Sequence, residues 1–127
     1  MSIVASADVV KARQVVRILA QQARLSLVDQ TKLVTAASEL ARNTLSYGGG
    51  GSMRGSLLAR GLKGGVRVRF SDQGPGIPDL DLALTDGWSS GKGMGLGLSG
   101  ARRLVDEFDL VSEAGKGTTV TVVKWAR

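Results

Sequence analysis

Hydrophobic residues at helical spacing predict a first helix near the start of the chain. Residues 9–23 carry small and branched apolar side chains three and four positions apart, the spacing that lines one face of an α-helix. Asp8 stands just before this pattern, where a side-chain oxygen commonly caps the first turn. We therefore expect a helix that is capped by Asp8 and ends near Leu25, after a short strand at residues 3–5.

A longer apolar stripe over residues 33–45 predicts a second helix. Ser26 and Asp29 are both candidates for its N-cap. The stripe stops at Tyr47, because the four glycines at 48–51 cannot sustain a helix. The chain then resumes as a strand, so a helix stop followed by a turn explains these glycines better than a linker does.

Alternating apolar and polar positions predict strands in the rest of the chain. Residues 66–70 alternate valine or phenylalanine with arginine, the pattern of a half-buried strand. Helical spacing returns at 98–108, which predicts a third main helix, and 79–84 suggests a short helix. Further strands are expected at 52–58, 109–112 and 118–125, with turns at 60–65 and 114–117.

The order of these elements predicts an α/β fold. Strands that follow one another in pairs imply hairpins, and hence a mixed, largely antiparallel sheet. The helices are then expected to cover one face of that sheet, which gives a two-layer α/β sandwich. The 127 residues are most naturally one domain, residues 1–127, and are enough to bury a substantial core.

The composition limits the chemistry that the chain can carry. There is no cysteine and no histidine, which excludes disulfides, the usual zinc sites and histidine-based catalysis. The net charge of +6 raises nucleic acid as a partner, but the basic residues form no continuous block and no aromatic residue interleaves with them. An anionic ligand or an acidic protein partner explains the charge equally well, and we expect no nucleic-acid partner.

Targeting signals are not visible in the sequence. The first residues lack the basic and apolar regions of a signal peptide. No apolar run approaches the roughly 20 residues that span a bilayer. We expect a cytoplasmic protein with no membrane partner.

Six glycines fall within residues 87–100, a density that indicates backbone close to a ligand, usually phosphate, just before a helix. The Gly-x-Gly-x-x-Gly run at 95–100 matches the dinucleotide fingerprint, but no strand precedes it as that fold requires. The P-loop pattern fails because Asp86 replaces its first glycine and Gly93 stands where Ser or Thr should follow Lys92. The motifs of the eukaryotic-type protein kinases are also missing.

Two further constellations carry polar groups suited to a nucleotide. Glu39 and Asn43 lie one turn apart on the second predicted helix, either on a solvated face or as a carboxylate beside a neutral oxygen ligand for Mg²⁺. Asp72 ends a strand and is followed by Gly-Pro-Gly. This segment is either a tight turn or a carboxylate that accepts a hydrogen bond from an adenine amino group.

Taken together and in this order, these segments resemble the GHKL ATPase superfamily. Its four boxes correspond to residues 39–43, 72–77, 93–98 and 117–119. Within the superfamily, the whole chain resembles the small protein-serine kinases that regulate bacterial sigma factors, which include the switch kinase of the stressosome. Residues 38–43, 72–79, 103–108 and 124–127 support that resemblance. It implies the α/β sandwich of the Bergerat ATP-binding fold, with ATP or ADP and Mg²⁺ as cofactors.

The resemblance also assigns roles to the matching residues. Glu39 would be the general base that takes the proton from the substrate serine, and Asn43 would bind Mg²⁺. Asp72 would recognise adenine, supported through water by Thr118. The nucleotide-binding residues expected on this basis are Asn43, Asp72, Gly74, Gly76, Ile77, Lys92, Gly93, Met94, Gly95, Leu96, Gly97 and Thr118.

One position departs from the family pattern. Gly91 stands where related kinases carry an arginine just before the second glycine box, so Lys92, the nearest cation, is expected to serve the γ-phosphate. Phosphoryl transfer needs a cation to offset charge on the equatorial oxygens. The substitution therefore bears on the rate rather than on nucleotide binding. Residues 87–98 are expected to form a lid over the triphosphate.

The partners implied by the resemblance are proteins. The kinase would phosphorylate a STAS-domain antagonist or scaffold protein and, when released, activate a PP2C-type phosphatase. The alternative is an anti-sigma factor that sequesters a sigma factor and phosphorylates an anti-anti-sigma protein. A histidine-kinase catalytic fragment is disfavoured, because no dimerisation helix with a phospho-accepting histidine is present.

Overall fold

The computed structural model describes residues 1–76 and 94–127, except for the side chains of residues 94–97. The helices are α1 (Ser6–Gln22), α2 (Leu27–Ser46) and α3 (Met94–Leu104). The strands are β1 (Ser2–Ile3), β2 (Gly51–Arg60), β3 (Lys63–Asp72), β4 (Glu107–Glu113) and β5 (Gly117–Trp125). None of the helices in these ranges is long and apolar enough to cross a membrane.

The strands form one five-stranded sheet in the order β1-β2-β3-β5-β4. Every described pair of neighbouring strands is antiparallel. The three described helices pack on one face of this sheet, with α2 between α1 and α3. The predicted two-layer α/β sandwich is confirmed, and its described strand pairs are antiparallel throughout rather than mixed.

Alternate strand residues face the helices and form the core. On β3, Val66, Val68 and Phe70 are buried, whereas Arg67 and Arg69 between them are exposed. The alternation predicted for residues 66–70 is therefore confirmed. The helices complete the core with Ala12, Val16, Leu33, Leu40, Leu98 and Ala101.

The predicted cap of the first helix is wrong. The helix begins at Ser6, with Ala5 in extended conformation before it. Asp8 lies inside the first turn, where its carboxylate accepts the backbone N–H groups of Val4 and Ala5 at 2.9 and 3.1 Å. An acidic residue in this place still satisfies donors that the helix leaves free.

The boundary between α1 and α2 lies close to its predicted place. The first helix ends at Gln22 rather than near Leu25, because Arg24 adopts a left-handed conformation with φ of 62°. The N–H of Leu25 then returns to the Ala20 carbonyl at 3.0 Å, which closes the helix end. Ser26 caps α2 by accepting the Asp29 N–H at 3.1 Å.

The third helix is shifted from its predicted range of 98–108. It begins four residues earlier and ends at Leu104, and Phe108 belongs to β4. The chain leaves the helix because Asp106 joins the neighbouring strand. Its N–H donates to the Val123 carbonyl at 2.9 Å, and its carboxylate accepts the Trp125 N–H at 2.7 Å.

Four charged side chains form an ionic cluster where β5 meets the start of α2: Asp29, Asp106, Lys124 and Arg127. The Lys124 side chain is only 5% exposed, and its ammonium nitrogen lies 3.6 Å from Asp29 and 3.7 Å from Asp106. Partial burial alone would raise the pKa of Asp106. Hydrogen bonds from Trp125 and Arg127 and the charge of Lys124 outweigh that effect, so its pKa is lowered.

Candidate nucleotide site

Helix α2 carries the first two candidate residues on adjacent turns. Glu39 is partly exposed, with 40% of its side chain open to solvent, and pairs with Arg42 at 2.5 Å. Asn43 lies deeper, and its amide nitrogen is buried without a hydrogen-bond partner. A partly exposed carboxylate and a buried amide nitrogen therefore lie one turn apart on the same helix.

The unpartnered Nδ2 of Asn43 is an N–H donor, so it fits a ligand that supplies an acceptor, such as a phosphate oxygen. A buried polar group without a hydrogen bond costs about 1–3 kcal/mol, which is high for a residue with a structural role alone. Mg²⁺ is commonly held by one or two protein oxygens together with phosphates. The Oδ1 atom of the same amide is a neutral oxygen of the kind that Mg²⁺ accepts, so the predicted Mg²⁺ role depends on this oxygen and not on the unpartnered nitrogen.

The end of α2 brings Asp72 into the same region. The N–H of Gly48 donates to the Asn43 carbonyl at 3.1 Å, and Gly48 packs directly against the Asp72 side chain. A Cβ atom on Gly48 would lie 2.4 Å from Cγ of Asp72. On the other side, the Gly74 N–H donates to Oδ1 of Asp72 at 2.9 Å. The carboxylate is held between two glycines that leave no space for a side chain.

Replacing Gly48 with alanine is expected to weaken ATP binding at least tenfold. The new methyl group would overlap the Asp72 carboxylate and force it to move. Titration with a fluorescent ATP analogue measures the effect. Ser46→Ala, a change of similar size at an exposed position of the same helix, serves as the control. Equal affinities of wild type and Gly48→Ala would show that the carboxylate position does not matter.

Asp72 is the first of three polar residues in a row that crosses strands β3, β5 and β4. Asp72 pairs with Thr118 on β5, and Thr118 pairs with Ser112 on β4. Because directly opposed residues point to the same face, all three lie on the helix side of the sheet. The hydroxyl oxygens of Thr118 and Ser112 are 2.8 Å apart, and the Ser112 hydroxyl also donates to the Gly117 carbonyl at 3.2 Å. Ser112 is a member of this row that sequence reasoning missed.

The first glycine box is fixed by contacts that the sequence did not predict. The Tyr47 hydroxyl donates to the Gly76 carbonyl at 3.3 Å. The N–H of Gly115 donates to the Pro75 carbonyl at 2.8 Å. Gly76 has a φ of 77°, and a Cβ there would lie 2.2 Å from the Glu113 carbonyl oxygen. The end of α2 and the β4–β5 turn thus position this loop from two sides.

The second glycine box is described only in part. Its residues from position 94 form the first turn of α3, which carries the free N–H groups of a helix start. Lys92 and Gly93, with the rest of the expected lid at 87–93, lie outside the described residues. Ile77 of the first box and the predicted short helix at 79–84 lie outside them as well. The roles assigned to these residues remain predictions.

A groove between α1 and α2 opens beside Glu39. It holds a cavity of about 270 Å³. Glu39 and Ser38 line the cavity together with three arginines, Arg13, Arg17 and Arg42. The candidate base is therefore accessible from the outer side of the helix layer.

Comparison with known proteins agrees with the fold. Residues 28–126 match the family described as histidine kinase-, DNA gyrase B-, and HSP90-like ATPase. The chain is 45% identical over 120 residues to the serine/threonine-protein kinase RsbT of Bacillus subtilis (strain 168). These residues are 94% of this chain and 90% of RsbT.

More distant relatives are sensor kinases. The adaptive-response sensory kinase SasA of Synechococcus sp. (strain CC9311) is 31% identical over 105 residues, which are 73% of this chain but only 27% of SasA. Among solved structures, the mycobacterial sensor histidine kinase MprB superposes with a TM-score of 0.56 at 23% identity, over 77% of this chain and 72% of that one. This last likeness supports the fold alone. The chain belongs to the histidine kinase-, DNA gyrase B- and HSP90-like ATPase family and, within it, to the serine/threonine-protein kinases related to RsbT.

Proposed function

We propose that this chain is a cytoplasmic ATP-dependent protein-serine kinase that phosphorylates a STAS-domain partner and, when released, activates a PP2C-type phosphatase. The observation that carries the proposal is the arrangement along α2. This helix presents the partly exposed Glu39 carboxylate one turn from the unpartnered Nδ2 of Asn43. Two residues after the helix ends, Gly48 packs against Asp72. The likeness to a protein named as a serine/threonine kinase supports a seryl or threonyl hydroxyl as acceptor.

In the proposed reaction, Glu39 accepts the proton of the substrate hydroxyl. The hydroxyl oxygen forms a bond to the γ-phosphorus of ATP while the bond from that phosphorus to the β,γ-bridging oxygen breaks, and ADP leaves. Asn43 would hold Mg²⁺, which when bound offsets phosphate charge. The groove beside Glu39 supports an acceptor of protein size, since it leaves the carboxylate open to an approaching side chain.

Recognition of the base falls to the polar row on the sheet. Asp72 would accept a hydrogen bond from the adenine amino group, with Thr118 supporting it through water. The hydroxyl pair of Thr118 and Ser112 strengthens this assignment, because the contact between them restricts the direction of each O–H group. The glycines around Asp72 keep the carboxylate close to the backbone, where a planar base can reach it.

The proposal predicts phosphate transfer from Mg²⁺-ATP to a serine or threonine of a STAS-domain protein. The assay incubates purified full chain with radiolabelled ATP and the STAS-domain protein encoded nearest to it on the chromosome, and mass spectrometry identifies the modified residue. Asp72→Asn is expected to lower ATP affinity at least tenfold and to restore transfer partly at high ATP, because an amide accepts the adenine hydrogen bond more weakly than a carboxylate.

Two results would contradict the proposed function. Transfer that is undetectable in wild type although ATP binds would remove the kinase assignment for this partner. Stable capture of a purified sigma factor, with phosphorylation of an anti-anti-sigma protein, would favour the anti-sigma alternative instead.

A further inference from the structure

The face of the sheet that points away from the helices carries a cluster of three arginines. Arg54 on β2 and Arg69 on β3 are directly paired across the strands, and Arg67 lies two residues from Arg69 on the same face. All three are exposed. Together with Ser56 they line a cavity of about 180 Å³. We refer to Arg54, Arg67 and Arg69 as the outer arginine cluster.

This arrangement has an electrostatic cost, and no ion pair among the described residues offsets it. Like charges placed directly opposite each other destabilise a strand pair. Across residues 1–76 and 94–127, the ion pairs of basic side chains involve Arg42, Lys116, Lys124 and Arg127. No carboxylate within those ranges pairs with the outer arginine cluster. An anion in the cavity would supply the missing counter-charge.

One arginine of the cluster is already oriented for a ligand. The Nε atom of Arg69 donates to the Thr121 hydroxyl at 3.3 Å, which leaves the two terminal nitrogens of its guanidinium group for another acceptor. A guanidinium that is held in place loses less rotational freedom when it binds. The cluster is therefore partly preorganised.

We propose that the outer arginine cluster binds the dianionic phosphate group of a phosphate monoester or of inorganic phosphate. Three guanidinium groups around one small cavity match a tetrahedral group of charge about −2, whereas a single carboxylate would engage only one of them in bidentate fashion. The site is separate from the nucleotide site, because Asp72 and Thr118 point to the opposite face of the sheet.

The same face is poorly suited to a nucleic-acid strand. Its far edge carries the outward carboxylates Glu107 and Asp109 on β4, which would repel a long polyanion. Trp125 is not free for base stacking, because Arg60 lies 4.3 Å from its ring centre and its indole N–H donates to Glu107 at 2.8 Å. A compact phosphate group avoids both obstacles.

Nuclear magnetic resonance of the ¹⁵N-labelled full chain tests the proposal residue by residue. Sodium phosphate, a phosphoserine peptide, its unphosphorylated counterpart, acetate and a short oligothymidylate are titrated separately at constant ionic strength. We expect phosphate and the phosphopeptide to cause saturable shifts at the amides of Arg54, Ser56 and Arg67 and at the Arg69 Nε–H, with at least tenfold higher affinity than acetate. Tighter binding of the phosphopeptide than of phosphate would identify a phosphorylated protein as the source of the group.

Matched variants separate this site from general attraction to a basic protein. Arg54→Gln with Arg67→Gln is expected to lower phosphate affinity at these amides at least tenfold. Lys11→Gln with Lys32→Gln removes the same charge from exposed helix positions and is expected to change it little. At low salt without phosphate, the arginine variant should unfold at equal or higher urea concentration than wild type, because a repulsion has been removed.

Three results would overturn the proposal. The first is an absence of shifts at the cluster, or shifts from acetate as large as those from phosphate. The second is equal loss of affinity in the lysine control. The third is oligothymidylate binding at these amides more tightly than the phosphopeptide, which would make the face a nucleic-acid surface.

Discussion

Replacement of Glu39 by glutamine is expected to reduce phosphoryl transfer by about 10²–10⁴-fold while ATP affinity stays close to that of wild type. Glutamine keeps the size of the side chain but cannot take the proton of a seryl hydroxyl. The ion pair with Arg42 is also lost, which matters little because exposed pairs contribute only about 0–1 kcal/mol. Single-turnover transfer and titration with a fluorescent ATP analogue separate the two quantities.

Glu107→Gln is the control for that experiment. It likewise replaces a carboxylate with an amide, but on β4, on the face of the sheet away from the helices. It is expected to leave transfer unchanged. Transfer by Glu39→Gln at the wild-type rate would rule out Glu39 as the general base. A parallel loss of ATP affinity and transfer would make Glu39 a nucleotide-binding residue instead.

Removal of the buried ammonium group by Lys124→Met is expected to lower the free energy of unfolding by about 3–5 kcal/mol. The lysine is 4% exposed, and without it Asp29 and Asp106 face each other across the same space. Small domains are stable by only about 5–15 kcal/mol, so this loss is a large share of the total stability. Urea denaturation followed by circular dichroism measures the difference.

A second variant decides whether charge is the cause. Lys124→Met combined with Asp29→Leu removes one stranded carboxylate and is expected to recover much of the lost stability, since a buried ion pair can be replaced by apolar side chains. If the double variant is no more stable than Lys124→Met, packing rather than an unpaired charge explains the loss.

The lowered pKa of Asp106 gives the same cluster a pH dependence with a defined sign. Its carboxylate is favoured in the folded state, so it contributes stability above its ordinary pKa of 3.8. That contribution is lost as the pH falls through the lower, folded value. Urea midpoints should therefore fall below about pH 4 in wild type and fall less steeply in Asp106→Asn.

The sequence predicted α1 and α2 because both depend on local pattern. It predicted the nucleotide boxes in the same way, and their roles stay predictions. The stripe over residues 33–45 and the glycines after it defined α2, and Asp72 was identified by its place at the end of an alternating strand. Ser112 was missed because its role depends on the register of β4 against β5, which no local pattern reveals. The end of α3 was wrong because Asp106 gains more from Lys124, Arg127 and the β5 backbone than from one more helical turn.

The contact between Arg42 and Glu39 has a consequence for how the kinase meets its acceptor. Arg42 contacts the Oε1 atom of Glu39, so in the proposed reaction a seryl hydroxyl that approaches this oxygen must displace an internal guanidinium group. An exposed pair of this kind is worth at most about 1 kcal/mol, so displacing it would slow the encounter by no more than about fivefold. An acceptor protein that offers its own carboxylate to Arg42 would recover that loss, and so the pair favours partners with an acidic residue close to the phosphorylated serine.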